Sequence, residues 1–227
     1  MIDDSKLSVI IRTKNEERWI GHTIQSVLDF IPSSEIIIVD NNSSDGTLNM
    51  VRHFIQDPTL DTGDYSKYTD IKILNIKDYT PGKSLNLGIK NSSNEICVIL
   101  SAHCVISKFN INKHKDDLNN FVCIFGNQIP VWNGKKITKR YIWSHFKDKE
   151  CVNMYSELED RYFLHNAISI YNKSYLIEYP FDEYLQSKED RYWAMNAIKN
   201  QKKILYDPAL EVFHHFTQNG YTWNGNA

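Results

Sequence analysis

The chain has 227 residues, 41% hydrophobic and 24% charged, and 26 Lys and Arg against 28 Asp and Glu give a formal net charge of -2. That length buries a sizeable core, while the balanced charge argues against a nucleic-acid binder, which carries a basic stripe. No apolar run approaches the ~18 residues of a membrane span, and with Asp3 and Asp4 ahead of a strand pattern no signal peptide is expected.

In chain order, Leu7 to Ile11 is a short continuous apolar run, the pattern of a strand buried on both faces. Trp19, Ile20, Ile24, Val27, Leu28 and Ile31 recur three and four apart and predict an amphipathic helix. Glu35 to Val39 is a second buried strand. The polar cluster Asn41 to Gly46 makes a turn and can cap the next helix, marked by Leu48, Val51, Phe54 and Ile55. Residues 57 to 70 read as a loop, Ile71 to Ile76 as a third strand, the segment from Pro81-Gly82 through Leu85 and Ile89 as a helix, and Ile96 to Leu100 as a fourth strand. Strand–helix alternation of this kind predicts an α/β fold, a mostly parallel Rossmann-like sheet flanked by helices.

The second half is less regular. Phe121 to Phe125 reads as a strand ending in GNQIP, and Ala167 to Ile170 as another. Glu189 to Ile198 is a helix, and Lys203 to Tyr206 and Glu211 to Phe216 are two short strands. Lys135 to Asn153 is basic and aromatic without a period. No repeat or flexible linker interrupts the chain, so one domain over 1–227 is expected, with a nucleotide-binding half (1–104) and an acceptor-binding half (105–227). Cys97, Cys104, Cys123 and Cys151 have no CxxC spacing and read as reduced thiols.

Ligands of parallel α/β sheets bind beyond the carboxyl ends of the strands. Here those ends are polar: Arg12 to Glu16, Asp40 to Asn42, and Ser101 to His103. Asp40 can accept hydrogen bonds from a base N–H or a ribose hydroxyl, or it can simply form a turn. Asp45 serves a ligand or caps a helix. Lys83, at a helix start, suits a diphosphate or is a solvated lysine.

The ordered set LSVIIRTKNEERWI, EIIIVDNNSSDGT, PGKSLNLGIKNSSNEICVIL and PFDEYLQSKEDRYWAMNAIKNQKKILYDPALEVFHH resembles family 2 of the glycosyltransferases, with the GT-A fold, over nearly the whole chain. The last segment, with GNQIP, is most similar to the bacterial rhamnosyltransferase-like branch. The resemblance implies an inverting transfer of a sugar from a nucleotide-sugar donor to a saccharide or lipid-linked saccharide, in bacterial surface polysaccharide or glycoconjugate synthesis. It implies that Thr13, Asn15, Glu16, Asp40 and Asp45 line the donor pocket with Lys83, Asn86, Ser101 and His103, and that Asp190, supported by Glu189, is the catalytic base. Two acids at a helix start also simply suit its dipole. Asn166, Glu183 and Trp193 fall on the acceptor side, where Trp193 either stacks on a sugar or packs the core.

One position departs from the family. Where an aspartate usually holds a divalent metal, this chain has Ser101-Ala102-His103-Cys104. Magnesium prefers oxygen ligands, and imidazole suits zinc, copper, iron or nickel better than manganese. Three readings stay open: a metal site of His103 and His214, metal-free catalysis with His103 or Lys83 neutralising the leaving phosphate, or His103 contacting the donor directly. Two other functions are compatible with parts of the pattern: a non-catalytic nucleotide-sugar-binding module, and a sugar nucleotidyltransferase, which the lack of glycine in Arg12 to Glu16 disfavours. The expected location is the cytoplasm. There the basic–aromatic stretch from Lys135 to Lys149 either approaches the inner face of the membrane as a peripheral contact or is a solvated loop.

Overall fold

The computed structural model describes residues 7–56, 70–136, 148–157 and 159–218. The loop expected over 57–70 lies almost wholly outside them, as does most of 135–149.

The chain opens with β1 (Ser8–Thr13), α1 (Ile20–Phe30), β2 (Glu35–Asp40), α2 (Thr47–Gln56), β3 (Asp70–Asn75), α3 (Pro81–Asn91) and β4 (Ile96–Ser101). A short return, β5 (Cys104–Lys108), leads into α4 (Ile111–Asp117), the long β6 (Cys123–Trp132) and its hairpin partner β7 (Lys135–Lys136). Small strands β8 (Cys151–Val152), β9 (Tyr155–Ser156) and β10 (Arg161–Tyr162) precede β11 (Ile168–Asn172), α5 (Lys173–Glu178), α6 (Glu189–Lys199) and β12 (Ile204–His215).

The main sheet runs β3-β2-β1-β4-β11-β6-β12-β5. Its first four strands are parallel, β11 is antiparallel to both neighbours, and β12 is parallel to β6. Apolar residues alternate between its faces. Ile10, Ile37 and Ile99 meet Leu85 and Ile89 of α3 and Trp193, Ala194 and Ala197 of α6. Ile11, Ile38 and Leu100 meet Ile20, Ile24 and Val27 of α1 and Val51 of α2. A strand covered on both faces has no polar positions to alternate, which explains the unbroken runs in the sequence.

This winding positions the site. The chain steps outward from β1 through β2 to β3, then returns across β1 to form β4. The loops after β1 and β4 therefore diverge and open a crevice at the strand ends.

Three sequence expectations need correction. The strand read at Phe121–Phe125 starts at Cys123 and runs through GNQIP to Trp132. The two short strands read near the end are one strand, β12, with a bulge between Asp207 and Glu211. Pro208 lacks a backbone N–H for the ladder, so it sits where the strand bulges. The bulge needs Gly126 opposite, where a Cβ would stand 2.2 Å from the Leu210 carbonyl oxygen. The sequence reading also passed over β5, α4 and α5, which are too short to show a period.

Gly88 lets α3 settle on the sheet, since a Cβ there would lie 2.6 Å from Ile10 Cγ2 and 3.2 Å from Val39 Cγ2. Gly88→Ala is expected to destabilise by about 1–3 kcal/mol, an overpacking cost larger than alanine's gain in helix propensity. Urea unfolding would show a lower midpoint at an unchanged slope. An unchanged midpoint would mean that the helix can move aside freely.

Candidate active site

The loops after β1 and β2 are built from each other. Asp40, buried at the end of β2, accepts from the Ser43 backbone N–H (3.0 Å) and hydroxyl (2.6 Å) and so closes its own turn. Asn15 sits at φ 52°, a region that asparagine tolerates. Its Oδ1 accepts from Ser44 N–H (2.8 Å), while its own N–H donates to Ser43 Oγ (2.9 Å). Glu16 N–H donates to Thr47 Oγ1 (2.7 Å). Asp45 accepts from Thr47 N–H (3.0 Å) at the start of α2 and from Glu17 N–H (3.1 Å), so it caps α2 and ties the loops together. Burial would raise the Asp45 pKa, but the hydrogen bonds from Thr47 and Glu17 outweigh this and hold it below the ordinary value.

Beside this lock lies a histidine pair on the tight turn between β4 and β5 and on β12. His103 Nδ1 is 3.1 Å from Glu16 Oε1, and Thr217 Oγ1 donates to the same oxygen (3.2 Å). His214 Nδ1 is 2.6 Å from Gln128 Oε1. Each Nδ1 thus faces an oxygen acceptor and must carry a proton to bond with it. The two Nε2 atoms lie 3.0 Å apart. If both rings are neutral, two lone pairs face each other, a repulsive contact unless a proton or a cation lies between them. The His214 pKa is pushed well below the ordinary value, first by burial and then by His103, His165 and His215. The Cys104 thiol belongs to the same cluster; burial raises its pKa, and a cation beside it would favour the thiolate. Ser101 Oγ donates to the Asn166 carbonyl (3.1 Å). Asn166 Oδ1 accepts from Ser169 (2.9 Å) and from Tyr171 (2.7 Å). Asn166 Nδ2 and Thr13 Oγ1 are buried at these strand ends with no hydrogen-bond partner among the described residues. Such atoms are rare in folded proteins and mark a place where polar ligand groups fit.

On the opposite side of the β1 tip, Arg12 Nη1 bonds Glu189 Oε1 at 2.7 Å and draws the start of α6 to the crevice. Burial opposes the Arg12 charge, but Glu189, Tyr79 and Asp190 outweigh it and hold the guanidinium pKa above its usual value. Glu189 is buried and committed to this ion pair. Asp190 is half-buried and accepts from the Arg191 N–H (2.8 Å). Its pKa is pushed up to about 7, by burial first and the neighbouring Glu189 charge second, against smaller opposing effects of Arg12 and Arg191. Arg12 is the residue that sequence reasoning missed. It stood in the polar strand end RTKNE, but only the fold shows that it faces an acid 177 positions away.

The loop before α6 is clamped to α3. Asn86 Nδ2 donates to the Phe181 carbonyl (2.9 Å) and to Glu183 Oε1 (2.9 Å), while Asn86 Oδ1 accepts from Phe181 N–H (3.1 Å). Thr80 Oγ1 donates to the Glu183 carbonyl (2.8 Å). Asn86 and Glu183 therefore fix the loop. Lys83 is half-buried in the first turn of α3, with its N–H capped by Thr80. Trp193 is 5% exposed, packs against Tyr171, Tyr175 and Phe181, and donates from Nε1 to the Tyr179 carbonyl (2.8 Å). Of its two readings, core packing is the one these contacts favour. The structure thus gathers Thr13, Asn15, Glu16, Asp40, Asp45, Ser101, His103, Asn166, His214, Glu189 and Asp190 around the strand ends and leaves Trp193 behind them.

The sequence profile described as "Glycosyl transferase family 2" matches residues 8–179. No curated protein matches the chain. Among solved structures, TarS 1–349 of S. aureus in complex with UDP-GlcNAc superposes with a TM-score of 0.69 at 23% identity, over 96% of this chain and 60% of that one. The mannosyltransferase PcManGT from Pyrobaculum calidifontis, in complex with GDP-Man and Mn2+, gives 0.65 at 15% identity, over 96% and 59%. GalNAc-T7 with UDP, GalNAc and Mn2+ gives 0.66 at 15% identity, over 97% and 45%. At these identities the likeness is one of fold. The chain spans at most about 60% of the length of these structures.

The raised Asp190 pKa carries a stability consequence. A carboxyl whose folded pKa exceeds its unfolded one contributes stability at low pH, and this is lost as pH rises through the folded value near 7. Asp190→Asn removes the cost of ionisation, so its stability relative to wild type is expected to rise from pH 5 to pH 8. Urea midpoints at the two pH values would measure this. A relative loss at pH 8 would show that the ionised carboxylate is well satisfied by the fold.

Proposed function

The chain belongs to glycosyl transferase family 2, and from that premise we propose that it transfers a sugar from a nucleotide-sugar donor, with inversion, to a saccharide or lipid-linked saccharide. The observation that carries the reading is Asp190, a half-buried carboxyl with a pKa raised to about 7, held beside the strand-end crevice by its neighbour's bond to Arg12. The crevice fits the role of the donor site. Its interlocked loops offer backbone and side-chain oxygens for a nucleoside, and Thr13 Oγ1 and Asn166 Nδ2 are polar atoms ready for a partner.

In the proposed step Asp190 takes the proton of an acceptor hydroxyl. The hydroxyl oxygen bonds to the anomeric carbon from the face opposite the diphosphate, and the carbon–oxygen bond to that diphosphate breaks with its electron pair. A base with a pKa near the working pH combines adequate ionisation with adequate basicity. Arg12 bonds Glu189 and holds the helix start in register, so Glu189 supports the base by position.

The donor set fits a divalent metal. Two imidazole nitrogens 3.0 Å apart, each oriented by an oxygen on its far side, match neighbouring ligands of one ion with metal–nitrogen distances of about 2.0–2.1 Å. His103 and His214 would hold it, with Glu16 and Gln128 behind them, and the ion would supply positive charge to the leaving diphosphate. A two-imidazole set favours zinc over magnesium, with manganese between them. The role in bacterial surface polysaccharide or glycoconjugate synthesis, a location at the cytoplasmic face, and kinship with the rhamnosyltransferase-like branch belong to the same proposal.

Two experiments test it. Asp190→Asn is expected to lower transfer by about 10²–10⁴-fold while nucleotide-sugar panels still raise its melting temperature as they do for wild type. In wild type kcat/KM should fall as pH drops below about 7. Near wild-type rates in the variant would assign the base elsewhere. For the metal, Mn2+ or Zn2+ should raise the melting temperature of EDTA-treated protein, and His103→Ala should abolish that shift. Equal shifts in both proteins would remove the histidine pair as the site and leave a shared proton between the rings.

A further inference from the structure

The hairpin that joins β6 to β7 takes no part in the site just described, yet it is built as a projecting tip. Asn133 and Gly134 lie at φ 49° and 73°, the left-handed pair of a two-residue turn whose twist matches that of the strands. Around Gly134 no heavy atom stands within 4 Å of where a Cβ would be. The turn sets Trp132 opposite Lys135, and Val131 opposite Lys136. Trp132 is 51% exposed, and both lysines are exposed. The tip is nevertheless anchored at its base. The Trp132 ring lies 5.7 Å from Phe216, Lys136 Nζ lies 5.1 Å from the Phe213 ring, and the Phe216 carbonyl accepts from Trp19 Nε1 (3.2 Å).

We propose that this hairpin is a contact for an anionic lipid bilayer. An indole is apolar in body and polar at one edge, and it favours the level of lipid headgroups. Lysines beside it extend their stems along the interface and meet anionic headgroups with their ammonium groups. A single exposed indole between solvated lysines is too small for an apolar protein interface. The charge pattern agrees: both residues of β7 are exposed lysines, in a chain of net charge -2.

The placement gives the contact a purpose. Phe216, against which Trp132 packs, follows His214 and His215 at the end of β12 and adjoins Thr217, which bonds Glu16. A bilayer touching the tip therefore lies beside the mouth of the site, where a lipid-linked acceptor would present its saccharide. That purpose rests on the proposed transfer, but the lipid contact does not.

Co-sedimentation with vesicles tests it without turnover. The full chain is expected to pellet with phosphatidylglycerol-containing vesicles at low salt, to remain in solution with pure phosphatidylcholine, and to be released by 0.5 M salt, where the Debye length is about 4 Å against about 30 Å at 0.01 M. Trp132→Ser and the double variant Lys135→Glu, Lys136→Glu should each reduce the bound fraction at least five-fold, with melting temperatures matching wild type. Absence of binding to the anionic vesicles, equal binding to neutral ones, or variants that pellet like wild type would each overturn the proposal. Loss of lipid binding in a variant that still transfers sugar to a soluble acceptor would leave the transferase reading standing and support a docking role for the tip.

Discussion

The Arg12–Glu189 ion pair is the contact on which the site depends. Arg12 lies at the tip of β1, the strand from which the sheet winds in both directions, and Glu189 opens α6. A buried ion pair adds little net stability, because desolvation offsets most of the attraction. Its loss is a different matter, since one charge would remain buried without a partner. The pair is therefore better understood as fixing where α6 begins than as strengthening the fold. Once that is fixed, Asp190, the next residue, is held at the crevice.

The same logic governs the other walls. Asp40 closes its own turn, while Asn15 and Asp45 bond across to the neighbouring loop, so the pocket walls are set without a ligand. Preorganisation of this kind lowers the entropy lost on binding. The loop from Phe181 to Glu183 is tied down by Asn86 and Thr80 and abuts Gly82, where a Cβ would stand 2.1 Å from the Asp182 carbonyl oxygen. The rigid parts are thus the loops, and the sheet supplies their spacing.

The parallel half of the fold was legible because its strands are short apolar runs and its helices have a clear period. The rest was obscured by particular residues. Pro208 made β12 look like two strands, since a bulge that accommodates proline cannot be told from a turn without the neighbouring strand. Gln128 and Glu16 carry no metal-binding signature, and only their closeness to His214 and His103 reveals that they orient the rings. Trp193 has two readings from its helical spacing, a sugar platform or core packing, and only the fold shows Tyr175 of α5 against the indole, which favours the core. Asp45 reads as cap or ligand group in sequence, and only the fold shows that it accepts from Thr47 and Glu17 and so braces the start of α2.

Two adjacent acids open α6, and their surroundings sort them. Successive helical residues point about 100° apart, so Glu189 and Asp190 cannot face the same partner. Glu189 faces Arg12 and is buried with it. Asp190 has a backbone N–H from Arg191 but no side-chain cation bonded to it among the described residues, and it bears the repulsion of its neighbour at close range. Each role requires the other. Without Glu189 beside it, Asp190 would lose part of what raises its pKa, and without Arg12, Glu189 would lose the ion pair that holds it. A site that needs one base near neutral pH is served by this arrangement: a cation strong enough to claim one acid, placed so that it only partly stabilises the other.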